Sequence, residues 1–148
     1  MNTVKMKWVF TALVFAGTTL FSCKKDPQPA PACSISMTGL SGAYKLTALK
    51  YKLNATAQEV NYLDFMDDCE KDNIVTLKSN GIYEYNDAGT VCTPSESDTG
   101  NWSVSGNTLT SDGTVHGTIA SYDCKTLVYY TENVNVAGDR LTFTMVKQ

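Results

Sequence analysis

Five cysteines and a single histidine carry most of the reactive chemistry in this 148-residue chain. Cys33, Cys69, Cys92 and Cys124 lie far apart, without the Cys-x-x-Cys spacing of a zinc site. Four such thiols predict disulfides in an oxidising compartment instead. His116, in Thr114-Val115-His116-Gly117, falls on the polar face of a predicted strand. No Gly-x-Ser-x-Gly elbow, nucleophilic cysteine motif or His-Glu-x-x-His helix accompanies it. Nothing here calls for a catalytic residue, a metal or another cofactor, and the expected protein is not an enzyme. The acidic run Asp64, Asp67, Asp68, Glu70 and Asp72 lacks the alternating oxygen-ligand loop of a calcium site and reads as a solvated face. The stronger lead is aromatic. Tyr44, Tyr83, Tyr85, Trp102, Tyr129 and Phe143, with Leu63, are candidates to line an apolar pocket whose hydroxyl groups orient a small ligand.

Such a pocket needs elements that hold those rings together. Turn signals recur at Asn80-Gly81, Ser105-Gly106-Asn107, Asp112-Gly113, Asp123 and Ala137-Gly138-Asp139. Short runs rich in Tyr, Thr, Val, Ile and Leu lie between them, many with alternation of period two. They predict eight strands near 43–52, 72–78, 82–87, 99–105, 107–111, 114–121, 125–134 and 140–147. Hairpin-length connections demand antiparallel neighbours. Eight of them close most simply into an all-β, up-and-down antiparallel barrel, which leaves no exposed edges. Its interior is just wide enough for side chains or for one small ligand.

One connection is long. Thr56-Ala57-Gln58-Glu59 has the pattern of a capping box, and Val60, Leu63 and Met66 follow at helical spacing. A short helix over 57–67 is predicted between the first two strands. It would serve as a lid or a plug, turning Val60, Leu63 and Met66 to the barrel and Asp64, Asp67 and Asp68 to water.

The hairpin at residues 79–81 constrains the cysteines. A two-residue Asn80-Gly81 turn sets Cys69 opposite Cys92. A three-residue turn with Gly81 left-handed sets Leu77 opposite Tyr83 and Val75 opposite Tyr85, a clean apolar face, and is preferred. A bulge at Ala88-Gly89 then absorbs the one-place offset. Either register predicts Cys69–Cys92, and Cys33–Cys124 follows by elimination.

The N-terminus reads as an address. Lys5 and Lys7 precede thirteen uncharged residues, Trp8 to Leu20, too short a stretch for a permanent span. Leu20-Phe21-Ser22-Cys23 resembles the lipobox of bacterial lipoproteins. That resemblance implies removal of residues 1–22, lipidation of Cys23, and anchoring in a Gram-negative envelope, most simply at the outer membrane. Residues 23–36 then form a tether whose Pro27, Pro29 and Pro31 favour an extended spacer of ~3.1 Å per residue. Residues 37–148 form the domain. Charged residues are only 18% of the chain and the net charge is -3, which argues against a nucleic-acid partner.

Leu40-Ser41-Gly42-Ala43-Tyr44-Lys45-Leu46 resembles the Leu-x-Gly-x-Trp-x-Leu opening of lipocalin-like domains, with Tyr44 in the tryptophan position. Cys69-Glu70-Lys71-Asp72, Ser79-Asn80-Gly81-Ile82-Tyr83 and Gly100-Asn101-Trp102 follow in the order seen in lipocalin-like lipoproteins. The resemblance runs from Leu40 to Gln148. It implies the same barrel, with a late basic residue stacked on Tyr44; Arg140, the sole arginine, is the candidate, or else a plain charge at a turn exit. The expected function is non-enzymatic binding of a small apolar molecule. The competing expectation is a solidly packed barrel that acts on a protein partner as an interaction or accessory domain.

Overall fold

The computed structural model describes residues 33–148. The signal segment, Cys23 and the tether as far as Ala32 lie outside the described residues. The described chain opens with one helical turn, α1 (Met37–Leu40), capped by the Ser36 hydroxyl accepting the Gly39 N–H at 3.0 Å. Strand β1 (Gly42–Lys52) and a two-residue strand β2 (Val60–Asn61) follow. Next come a 3-10 turn at Tyr62–Phe65 and a single α-helical turn, α2 (Asp68–Lys71). A meander completes the chain: β3 (Ile74–Leu77), β4 (Ile82–Asn86), β5 (Asp98–Ser105), β6 (Thr108–Ser111), β7 (Val115–Tyr122), β8 (Thr126–Glu132) and β9 (Arg140–Lys147).

All pairings are antiparallel, and β1 pairs with β9 as well as with β3, so β1 and β3–β9 close into the expected eight-stranded barrel. Closure gives each end strand a partner and removes the exposed edges of an open sheet. The predicted strand positions hold to within a few residues because alternation and turn chemistry are both local signals. The 79–81 hairpin adopts the three-residue form: Gly81 has φ +87°, and Leu77 faces Tyr83 while Val75 faces Tyr85.

Between β1 and β3 the structure departs from expectation. No three-turn helix forms over 57–67. The Asn54 side-chain oxygen accepts the N–H groups of Thr56 and Ala57 at 3.0 and 2.9 Å, a local turn that diverts the would-be cap. Glu59 instead pairs with Lys50 at 3.3 Å, and β-branched Val60 joins a short ladder opposite Tyr51. The helical content falls later, in single turns. Glu70 accepts the Asp67 N–H at 2.6 Å, so the capping interaction operates from Asp67 rather than Thr56.

The core gathers at one end of the barrel. Leu40, Tyr44, Leu77, Trp102, Ile119, Leu127 and Met145 form a buried cluster, with α1 laid across that end. The opposite end carries the long connections: residues 53–73, 87–97 and 133–139. Two of these are each organised by a single aspartate. Asp139 accepts the N–H groups of Val134, Asn135 and Val136 at 2.7–3.0 Å and the Tyr51 hydroxyl at 3.0 Å. Burial alone would raise its pKa, but these donors outweigh it and hold the carboxyl below the ordinary value. Asp87 accepts the N–H groups of Cys92 and Glu96 and likewise lies below the ordinary value.

Candidate functional site

At the closed end, Tyr44 is 1% exposed and donates its hydroxyl to the Leu40 carbonyl at 2.7 Å. Burial, reinforced by the Tyr122 hydroxyl, pushes the Tyr44 phenol up, so it remains a donor. The cation over its ring is Lys147 at 5.4 Å, not Arg140. Tyr44 stands opposite Lys147 in the β1–β9 ladder, whereas Arg140 starts β9 at the far end. There Arg140 covers the Tyr130 ring at 4.0 Å and pairs with Glu132 at 2.6 Å. Lys147 also donates to the Gly39 carbonyl and the Tyr122 oxygen, and Trp102 Nε1 donates to the Lys78 carbonyl at 2.9 Å. Each buried polar tip in this bottom layer therefore has a partner, as burial requires.

Above that layer the barrel is hollow. One cavity of about 350 Å³ is lined by Val75, Leu77, Tyr83, Tyr85, Trp102 and Tyr129, among others, with Glu96 and Asp98 at its margin. A second, of about 300 Å³, lies against Leu46, Leu49, Met66, Tyr85, Tyr129 and Phe143. A lobe of about 50 Å³ reaches down to Tyr44 and Leu127. Val75 and Tyr129 border all three spaces. The second cavity sits where β1 and β3 part: they pair only from Gly42–Leu77 to Lys45–Ile74, and Met66, Glu70 and Asn73 wall the gap beyond.

Tyr129 is the centre of this interior. Its ring stacks on Phe143, with centroids 4.7 Å apart and planes 5° from parallel. Gly117 leaves room for it, since a β-carbon there would stand 2.9 Å from the Tyr129 ring. The Tyr129 hydroxyl has no hydrogen-bond partner among the described residues. Burial pushes its pKa up to about 12, so the group is a neutral phenol available to a guest. Tyr85 receives the Asn73 side-chain N–H at 2.8 Å on its oxygen, which leaves its O–H free to donate. Tyr83 is engaged already, donating to Asp112 at 2.8 Å.

The seven candidate lining residues thus fall in different places. Tyr83, Tyr85, Trp102 and Tyr129 border the first cavity, Phe143 the second, and Tyr44 only the small lower lobe. Leu63 borders none of the three. Without the predicted helix, only Met66 of the trio Val60, Leu63 and Met66 reaches the interior, and Val60 is exposed. Asp64, Asp67 and Asp68 do face water. His116 lies on the outward face of β7, 3.1 Å from the Thr110 hydroxyl. What the sequence did not reveal is the role of Val75, Leu109 and Gly117. An alternating strand identifies inward residues but not which of them border empty space.

Both disulfides are present, Cys69–Cys92 and Cys33–Cys124. The first ties α2 to the 87–97 loop at the open end. Ladder geometry is not what brings it together: β3 and β4 stop pairing at Ile74–Asn86, and the Asp87 carboxylate folds the loop back. The second ties the start of the described chain to the β7–β8 turn at the closed end. Exposed apolar side chains gather at the open end, including Leu53, Val60, Phe65, Val134 and Val136, with Phe65 72% exposed.

Among families of known proteins, the lipocalin-like domain matches residues 40–143. No curated protein and no solved structure matches the chain.

Proposed function

The chain belongs to the lipocalin-like domain family, and from that premise we propose that it holds a small apolar molecule in its barrel, without catalysis, while carried on the cell envelope by a lipid on Cys23. The observation that carries the binding reading is the hollow interior. A cavity of about 350 Å³ falls within the ~300–1,000 Å³ of small-molecule sites, and its mostly apolar wall holds a few polar tips to orient a guest. A solidly packed interaction domain would have filled that space. Anchoring rests on the lipobox-like Leu20-Phe21-Ser22-Cys23. Two acyl chains or more make such anchoring durable.

Val75→Trp tests the pocket, because Val75 borders both cavities and the lower lobe. Uptake of the neutral dye N-phenyl-1-naphthylamine is expected to fall at least tenfold while the far-UV circular dichroism of the barrel is retained. Undiminished uptake would place the dye outside the barrel and overturn the reading. For the anchor, Cys23→Ala is expected to release the protein from the membrane fraction or to leave an unprocessed precursor. Normal size with unchanged membrane association would overturn it.

A further inference from the structure

The charged groups at the mouth are of one sign. Glu96 and Asp98 border the larger cavity and Glu70 borders the second, while neither is lined by lysine or arginine among the described residues. Three bases near this end are already engaged, Lys71 with Asp68 at 3.0 Å, Lys50 with Glu59 at 3.3 Å and Arg140 with Glu132 at 2.6 Å, and the fourth, Lys52, lines a separate hollow beside Arg140 rather than either cavity. Glu96 and Asp98 form no ion pair among the described residues. Asp98 accepts only the neighbouring Thr99 N–H, at 2.8 Å, and Glu96 accepts a long 3.5 Å contact from Asn73. Inside, the Tyr129 phenol is unpartnered among the described residues, and Tyr85 keeps a free donor.

We propose that the guest is a cationic amphiphile, an apolar body lodged against Val75, Leu109 and Tyr129 with a protonated amine held at the mouth by Glu96 and Asp98. The assignment rests on the apolar-ligand reading and narrows it. A carboxylate guest is disfavoured twice. Its charge would leave water with no cation waiting for it. It would also approach two like charges across a low-dielectric wall, where a single-sign cleft concentrates the field. An ammonium meets the opposite situation. Because both carboxylates keep contact with water, the gain is moderate and sensitive to salt.

The test uses the full chain in phosphatidylcholine nanodiscs, titrated calorimetrically at pH 7 with decylamine, decanol and decanoate. Glu96→Gln/Asp98→Asn protein in identical discs serves as reference, so partition into lipid cancels between them. Wild type is expected to bind decylamine at least tenfold more tightly than decanoate. The double variant should lose about fivefold for decylamine and change by less than twofold for decanol. Raising the salt to about 0.5 M should shrink the wild-type advantage, because the Debye length contracts to a few ångströms. Decanoate binding as well as decylamine, or a variant that leaves decylamine unaffected, overturns the charge assignment while the apolar site stands if decanol still binds. Failure of decanol and decylamine alike overturns the apolar-ligand reading together with this inference.

Discussion

Tyr44→Ala is expected to remove about 3–5 kcal/mol of folding stability, the range for deleting a large buried aromatic. The ring is 1% exposed, packs in the bottom cluster with Leu40, Leu77 and Met145, and lies beneath the Lys147 ammonium. Its loss leaves a void, an orphaned Leu40 carbonyl and a lysine without its aromatic floor. Domains of this size are stable by only about 5–15 kcal/mol, so the variant approaches the unfolding threshold. Tyr44→Phe isolates the hydroxyl. It keeps the packing and gives up only the 2.7 Å bond to Leu40, for an expected loss of about 1 kcal/mol. Urea denaturation followed by tyrosine and Trp102 fluorescence measures both. A loss below about 1 kcal/mol for Tyr44→Ala would show that the closed end is not a stability centre.

Removing Cys33–Cys124 is expected to have a comparable effect. The two cysteines are 91 residues apart, against 23 for Cys69–Cys92. Chain-entropy arithmetic puts the longer crosslink at about 4–5 kcal/mol and the shorter at about 3 kcal/mol. Cys33→Ser/Cys124→Ser should therefore shift the urea midpoint further than Cys69→Ser/Cys92→Ser. Cys124 adds a separate effect, because its φ of +73° lies in the left-handed region that non-glycine residues adopt only at a cost. Cys33→Ser/Cys124→Gly is accordingly expected to recover about 1 kcal/mol relative to the double serine variant. Equal midpoints for the two double serine variants would contradict the loop-length argument. Equal midpoints for Cys124→Ser and Cys124→Gly, each combined with Cys33→Ser, would contradict the backbone one.

The two cysteine pairs show two kinds of legibility. Cys69–Cys92 was expected from the hairpin because both registers of residues 79–81 bring the chain positions close, yet the ladder ends at Ile74–Asn86, and a folded loop rather than a bulge at Ala88-Gly89 closes the remaining gap. The bridge itself was invisible: Asp87 gathers the loop through backbone N–H groups, and nothing in an isolated Asn86-Asp87-Ala88 stretch announces which amides will turn toward it. Cys33–Cys124 followed only from being the pair left over, since no local pattern links residues so far apart in the chain. For the basic residue over Tyr44, the resemblance offered Arg140, which the sequence read equally as a plain charge at a turn exit, and no local pattern pointed to Lys147. Choosing Lys147 requires knowing that β9 runs back along β1 with Lys147 opposite Tyr44, a pairing between the two ends of the domain.

By itself the sequence determined the eight strands, their antiparallel meander, the register at Leu77–Tyr83 and the alternation of inward and outward side chains. Those features depend on neighbours two to ten residues away, through pleat geometry and turn conformations such as left-handed Gly81. Only the tertiary structure decided the fate of residues 53–73. There the helical spacing of Val60, Leu63 and Met66 competed with the Lys50–Glu59 pair and the Tyr51–Val60 ladder, and a short helix had too little cooperativity to prevail. It alone also decided that the barrel is hollow around Tyr129 and narrows to a lobe of about 50 Å³ at Tyr44. Whether facing side chains meet across a barrel depends on volumes contributed by all eight strands at once, and no local pattern encodes that sum.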